Sequence, residues 1–550
     1  MRTSINQKGN LDMPSQRDHR VNLFALFGPA LMLLGLMIGH LNFHAYPLLT
    51  PESLIVLAAF AGIGILLGLV PALLGPTNLR AFLLGMILLF FLDLQFGSNV
   101  KFRLFVIDHE LPWWGFVTIA FVAGTTAFWL ILSLREHIAT IFFTFFGVFF
   151  LGALLIPSPS IKFGAEGPAE SSEASSNDPL TVYLILDSHL GIEGIPLDLA
   201  GGPETKETLL RFYEKWGFRT FGGAYSPYLM TLNSVAYTLN GVVSDKDLLF
   251  IEHGQRRGRA YQLTENRYFR SVLQSNRKIR VFQSDYVDFC ADTQAPVEYC
   301  FTYPTSSIHT LVGAKLAALT KARIIIDSYL RRENISGKIY DFFVTRWFHS
   351  SIVVPEIFSA LGDDIVANPH GNLFFGHLIL PHDPYVWNRQ CQIRPDAASW
   401  MSRRIDHIDL TTLGTPEYRV RAYADYFDQV HCVVQLLDDL LMFIDNAGLL
   451  RDATIIIHGD HGSRITLRDP IIAYRDQATK IDYVDAFSTL FAIRSPEIEP
   501  GYSSELQPLP NLIAEYVFGI PAPMEEQTVY LRNDSKLEGL DLLSVPMPNF

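Results

Sequence analysis

Hydrophobic positions are distributed very unevenly along this chain. Five apolar stretches of the length needed to cross a bilayer, about 20 residues, crowd its first part: Val21–Phe43, Leu54–Leu74, Ala81–Phe96, Pro112–Leu134 and Ile138–Ile156. They predict five transmembrane helices joined by short loops of Pro, Gly, Asn and charged residues. The third is the shortest and contains Asp93. Trp113, Trp114 and Trp129 stand near segment ends, where aromatic anchors collect. Arg2, Lys8, Arg17 and Arg20 precede the first stretch, and Arg80 and Arg135 fall in loops on the same side. By the positive-inside preference the N-terminus is cytoplasmic, and an odd number of crossings leaves everything after Pro157 outside. Lys101 and Arg103 run against that trend. His40, His44 and Asp93 lie within or at the edges of the spans and are expected to snorkel to the interface. The long flank before the first stretch, and four more stretches after it, predict a retained anchor rather than a cleaved signal peptide.

Beyond Ile156 the pattern changes. Residues 157–178 are rich in Ser, Pro, Gly, Ala and Glu and cannot bury a core, so they predict a flexible tether. Leu180–Leu186 is then a continuous apolar, β-branched run, as expected of a strand buried on both faces of a parallel sheet. Strand-like runs recur at Ile279–Gln283, Leu373–Leu380, Thr454–His458 and Leu490–Ile493, with helix-like stretches such as Gly313–Arg332 and Arg419–Ala447 between them. The alternation predicts an α/β sandwich around a mostly parallel sheet. The organisation expected is a helical transmembrane domain over 1–156, a linker over 157–178 and an extracytoplasmic α/β domain over 179–550.

Composition fits this division. The chain has 550 residues, 49% of them hydrophobic, and a mean hydropathy of +0.20, yet charge becomes frequent only in the second part. The net charge of −13 argues against a nucleic-acid partner, which needs a basic face. It suits a domain that captures divalent cations. Four cysteines are too few for a disulfide scaffold. Cys290 and Cys300 are close enough in sequence to pair in an oxidising compartment, and equally stand as two free thiols.

Chemistry-bearing residues sit where the strands end. The first run delivers Asp187-Ser188 just past its carboxyl end, where open α/β sheets build their sites. Thr454–His458 runs into Gly459-Asp460-His461-Gly462, which offers adjacent oxygen and nitrogen ligands for an ion such as Zn²⁺ or Mn²⁺. Gly459 and Gly462 are expected to let the backbone turn around the ion. A loop with Pro227 leads to Thr231 and then to a helical pattern that Gly241 can cap. A hydroxyl at that helix start is either an N-cap or a metal-activated nucleophile, and Ser226 and Ser234 are hydroxyls nearby. The Leu373–Leu380 run carries His377 and delivers His382 between Pro381 and Pro384, placed to meet a substrate oxygen or a metal. Asp285 and Arg464 are read as surface or packing residues.

In order and spacing these four motifs resemble the alkaline phosphatase superfamily, in particular membrane-anchored sulfatase-like enzymes such as lipoteichoic acid synthases and phosphoethanolamine transferases. The resemblance spans nearly the whole chain and rests on the four motifs. It implies an alkaline phosphatase-like sandwich behind five transmembrane helices, with Asp187, Thr231, Asp460 and His461 as metal ligands. It also implies Thr231 as nucleophile and His382 as the histidine that contacts the substrate phosphate. A Cys/Ser-x-Pro-x-Arg pentapeptide, whose first residue becomes formylglycine in sulfatases of the superfamily, is missing: Ser226-Pro227 lacks both the spacing and the arginine. The function expected is therefore metal-dependent transfer of a phospho-headgroup from a membrane lipid donor to a glycan or lipid acceptor through Thr231. The alternatives are a phosphodiesterase, phosphatase or sulfuric ester hydrolase of the same superfamily, or a catalytically silent, membrane-tethered binding module. A transporter would need broken helices with midplane polar residues, and these spans are ordinary.

Overall fold

The computed structural model describes residues 16–73, 77–96, parts of 125–155, 178–246, 261–284, 286–303, 308–312, 317–332, 351–395, 414–532 and 541–549. The apolar stretches at the start form α1 (Gln16–Phe43), α2 (Pro51–Leu73), α3 (Thr77–Phe96) and α4 (Ile138–Leu155). Three of these, over Leu23–Phe43, Pro51–Leu73 and Ile138–Leu155, are long and apolar enough to cross a membrane, with mean hydropathies of 1.9, 2.6 and 2.4. The expected Pro112–Leu134 span lies largely outside the described residues, as does nearly all of the expected linker over 157–178.

The chain divides into two compact units, Met1–Ile161 with Ala317–Val344, and Lys162–Leu316 with Thr345–Phe550. In the first, α1 packs against both α2 and α4. The α1–α2 crossing is close because Gly64 and Gly68 meet the backbone of Ala30 and Leu26, leaving no room for a Cβ. Asn42 Nδ2 donates to the Ala153 carbonyl at 2.7 Å, a buried polar tie between α1 and α4. The helix Ala318–Arg332, expected among the sheet's helices, belongs to this unit and packs on α2. There Lys321 Nζ lies 3.8 Å from Glu52, which also accepts from Tyr46 Oη at 2.6 Å. His40 does not snorkel: it is 2% exposed and packs edge-on against Tyr329.

The second unit is organised on an eight-stranded sheet. Its strands are β1 (Thr181–Leu186), β2 (Arg219–Phe221), β3 (Lys278–Ser284), β4 (Tyr299–Tyr303), β5 (Asn372–Leu378), β6 (Thr454–Gly459), β7 (Phe491–Arg494) and β8 (Gly501–Ser503). Their spatial order is β8-β2-β7-β6-β1-β5-β3-β4. β7 runs antiparallel to both neighbours, and every other pairing is parallel. The five expected strands are all present, and the three short ones with no long apolar run, β2, β4 and β8, complete the sheet. β1, β5 and β6 are its centre. Side chains such as Tyr183, Ile185, Phe375 and Ile456 pack into one core with Val281 and Phe491. The helices that matter for the site are α5 (Thr231–Asn240), α6 (Pro416–Asn446) and α7 (Lys480–Phe487). α6 starts at Thr415, whose side chain caps the Tyr418 N–H, with Pro416 in the first turn.

Candidate active site

Strand register brings the two acidic motifs together. β1 and β6 are parallel neighbours with Leu186 opposite Gly459, so Asp187 and Asp460 leave the sheet side by side. The backbone then turns at Ser188, in the left-handed region at φ 62°. Its N–H donates to Asp460 Oδ1 at 2.8 Å, and its Oγ donates to Asp187 Oδ1 at 3.1 Å. Tyr426 of α6 holds this turn, donating to the Ser188 carbonyl and accepting from the Leu190 N–H. Gly459 and Gly462 serve differently from the turn expected of them. Neither has a positive φ, and both are glycine because other atoms press close: a Cβ at Gly459 would strike His189 O, and one at Gly462 would strike Asp485 O.

Thr231 opens α5, and its hydroxyl does not cap the helix. The N-cap position is Met230, which makes no side-chain cap bond. Thr231 Oγ1 instead lies 3.1 Å from His461 Nε2, 3% exposed and facing the carboxylates. Ser226 and Ser234 are engaged elsewhere. They bond each other at 2.9 Å, and Ser234 also donates to the Asp460 carbonyl at 2.6 Å, so they support the strand end. Gly241 terminates α5 at φ 63°, as its position in the sequence predicts.

Three of these residues form a cluster that could hold a metal ion. Donor atoms of Asp187, Asp460 and His461 lie within 4.8 Å of one another, and all three side chains are buried. His461 Nδ1 contacts the Gly462 carbonyl at 2.8 Å; a carbonyl only accepts, so Nδ1 carries the ring proton and Nε2 presents a lone pair. That lone pair faces Asp460 Oδ2 at 3.2 Å and Asp187 Oδ1 at 3.8 Å. Asp460 Oδ2 has no hydrogen-bond partner among the described residues. Burial, then the charge of Asp460, pushes the Asp187 carboxyl up to about 7, and burial pushes His461 down to about 3. Converging lone pairs that repel one another in a dry site are what a divalent cation relieves. The residues present fit such an ion.

His382 enters the same cleft from the loop after β5. Gln429 of α6 pins this loop: its amide donates to the Pro381 and His382 carbonyls and accepts from the Val386 N–H. His382 Nε2 lies 2.7 Å from Arg464 Nη2. Arg464, expected as a surface or packing residue, has a different place. It is half-buried, adopts φ 57°, and lines the cleft with Asp187, Thr231 and His382. No local sequence signal marks it beyond its place four residues after Asp460. His377 is also close, with Nε2 3.8 Å from Asp187 Oδ2. Neither ring nitrogen of His377 has a hydrogen-bond partner among the described residues, and burial pushes it down to about 4. Asp285 lies outside the described residues. The cleft has a volume of about 610 Å³, and its wall is mixed: apolar and aromatic residues such as Leu229, Tyr418 and Ile465 alternate with polar and charged ones, among them Asp383, Arg468, Asp469 and Arg532.

No family model matches the chain, and no curated protein matches it. Among solved structures it is similar to the C-terminal periplasmic domain of EcEptC from Escherichia coli in complex with zinc, at 14% identity and a TM-score of 0.37, over 67% of this chain and 93% of that one. It is similar to a protein in the alkaline phosphatase superfamily from Vibrio parahaemolyticus, at 11% identity and 0.37, over 65% and 74%. A phosphonate monoester hydrolase of Agrobacterium radiobacter gives 10% identity and 0.37, over 65% and 81%. At such scores the likeness carries no chemistry across, which rests on the residues of the site.

Proposed function

We propose that this protein is a membrane-bound, metal-dependent enzyme that transfers a phospho-headgroup from a lipid donor to a glycan or lipid acceptor, with Thr231 as nucleophile. One observation carries this reading: the Thr231 hydroxyl stands 3.1 Å from His461 Nε2, against the buried cluster of Asp187, Asp460 and His461. An N-capping threonine would turn its hydroxyl to its own helix. Asp187, Asp460 and His461 would hold a Zn²⁺ or Mn²⁺ ion, whose positive charge would lower the pKa of the Thr231 hydroxyl and offset charge developing on the phosphoryl oxygens. Thr231 Oγ1 bonds to phosphorus while the bond to the donor's alcohol oxygen breaks. The threonine proton passes to solvent and the departing alkoxide takes one back. An acceptor hydroxyl then bonds to the same phosphorus while the Thr231 Oγ1–phosphorus bond breaks, the acceptor's proton passing to solvent and Thr231 Oγ1 taking one back. The mixed cleft wall offers apolar residues to the hydrocarbon part of a donor and arginines to its phosphate, and helices of membrane-crossing length hold the enzyme where such donors are. A periplasmic or extracellular site for the second unit follows from the charge pattern flanking the first span.

The test uses the purified full chain in detergent with a chromogenic phosphodiester, a phosphomonoester and an aryl sulfate, each with Zn²⁺, Mn²⁺ or EDTA. Phosphate-ester turnover that falls by about 10³-fold or more with EDTA and in Thr231→Ala is expected, the scale of losing a nucleophile or its electrophile. Turnover of sulfate alone identifies a sulfuric ester hydrolase instead. Undiminished turnover in Thr231→Ala sinks the nucleophile assignment. Release of free phosphate-containing product with every acceptor offered makes the enzyme a hydrolase. Failure to bind any metal leaves the silent binding module.

A further inference from the structure

The geometry points to Arg464, rather than His382, as the side chain that meets the anionic oxygens of the group transferred at Thr231, with His382 as the residue that positions it. The inference rests on the phosphotransfer reading above and changes which group in the cleft recognises the anion. An arginine side chain has donors and no acceptor. The 2.7 Å contact between Arg464 Nη2 and His382 Nε2 therefore requires an unprotonated Nε2, with the ring proton on Nδ1. Nδ1 is satisfied accordingly, by the Asp383 carbonyl and by Asp383 Oδ1 at 3.2 Å. In this arrangement the imidazole has no N–H left to offer a phosphate oxygen. It acts as the acceptor that orients a guanidinium.

Arg464 itself is equipped for the role. Among the described residues its side chain has one other hydrogen-bond contact, a weak one from Nη1 to Met230 Sδ at 3.8 Å, and Met230 precedes the nucleophile in sequence. It makes no ion pair among the described residues, although its neighbourhood contains several carboxylates. A half-buried guanidinium with donors to spare and no direct ion pair among the described residues, in one cleft with a nucleophilic hydroxyl, is a site for a tetrahedral oxyanion. Its backbone is committed to this position. Arg464 takes φ 57°, uncommon for a residue with a Cβ, and its N–H is tied to the Asp485 carbonyl at 2.8 Å. Four residues after Asp460, that turn points the side chain back across the cleft to His382.

The test compares Arg464→Gln, Arg464→Lys, His382→Gln and His382→Leu in the full chain, with two readouts: kcat and KM on the phosphate ester, and the rise in Tm caused by inorganic phosphate. Glutamine at 382 keeps an acceptor for Arg464 but cannot act as an imidazole acid. His382→Gln is expected to stay within about tenfold of wild type in kcat/KM, the scale of one exchanged hydrogen bond. Arg464→Gln is expected to lose about 10²–10³-fold, the scale of an oxyanion donor, and to lose the Tm rise with phosphate. Arg464→Lys keeps part of the Tm rise through its charge, and His382→Leu falls toward Arg464→Gln. Loss of activity in His382→Gln with Arg464→Gln unaffected overturns the inference, as does a wild type whose Tm ignores phosphate. Metal- and Thr231-dependent turnover indifferent to Arg464→Gln overturns it while leaving the phosphotransfer reading intact. No ester turned over, with the phosphate response lost only at Arg464, removes that reading and leaves the anion site standing.

Discussion

The carboxylate of Asp485 on α7 is buried opposite Arg419 of α6, which contacts it through Nε at 2.9 Å and Nη2 at 3.2 Å, while Tyr423 Oη donates to it as well. The cluster matters because the backbone around Asp485 holds the ligand loop. Gly462 N–H donates to the Ala486 carbonyl and Arg464 N–H to the Asp485 carbonyl. Burial raises the Asp485 carboxyl to about 6, against the pull of Arg419. The linkage sign follows: between an unfolded value of 3.8 and a folded value of about 6, the folded state holds the extra proton. Stability from this group is greatest at the acid end and falls by about 1.4 kcal/mol per pH unit as pH rises through that window. Asp485→Asn has no such slope. The stability of Asp485→Asn relative to wild type is therefore expected to increase from pH 4 to pH 6 and level off above, measured as the difference in denaturation midpoint. A difference that is flat or runs the other way would show that Asp485 is ionised throughout. Neither Asp485 nor Arg464 stands out in the sequence, because the role of each depends on a partner brought from another element or on one unusual φ. Asp187, Asp460 and His461 stand out because each follows a continuous apolar strand, so chain order alone puts them at one edge of the sheet.

Among the elements, the strands readable in advance are the central ones, whose burial on both faces demands an unbroken apolar run. The Thr454–Gly459 strand, with its four consecutive isoleucine and histidine positions over Ile455–His458, is such a case. Arg219–Phe221 and Gly501–Ser503, at and next to the sheet edge, are three residues each and only partly apolar, so the pairing that defines them is not written locally. The helix Ala318–Arg332 was legible as a helix but not as a member of the N-terminal unit, since its amphipathic pattern does not say which surface it covers. The α1–α2 crossing gives a sharper test of element packing. Gly68 is buried where a side chain would overlap the Leu26 carbonyl, whereas Gly62 is exposed on the same helix with nothing within 4 Å of where a Cβ would stand. Gly68→Leu is expected to cost about 1–3 kcal/mol through overpacking, read as a lower Tm of the full chain in detergent. Gly62→Leu, with the same loss of glycine from the same helix, is expected to leave Tm within error of wild type. Equal losses from both would assign the effect to helix propensity or solubility, and not to the crossing.

At the scale of the whole molecule, the cysteines bear on which side of the membrane the second unit occupies. The chain has four, and all are paired: Cys290 with Cys300, and Cys391 with Cys432. The first pair was one of two open possibilities in the sequence. The second joins residues 41 apart and ties the loop carrying Cys391 to α6, the helix that also fixes the His382 loop through Gln429. Such bonds form and persist in oxidising compartments and are rare in the cytosol. They agree with the arginines and lysine ahead of the first span, which by the positive-inside preference hold the N-terminus in the cytoplasm and leave the second unit outside. A topology in which the second unit faced the cytosol would leave four thiols reduced, two of them beside the loop that holds the site. Intact cells lysed in denaturant with a maleimide-polyethylene glycol reagent separate the two cases. An extracytoplasmic second unit takes no label before reduction and four after it, giving one large gel shift. Cys391→Ser is then expected to expose a single thiol at Cys432 without reductant, and to lower Tm by the loss of a crosslink worth about 2–4 kcal/mol. Four labels without reductant would put the second unit in the cytosol, and with it would go the supply of outer-leaflet lipid donors that the proposed reaction requires.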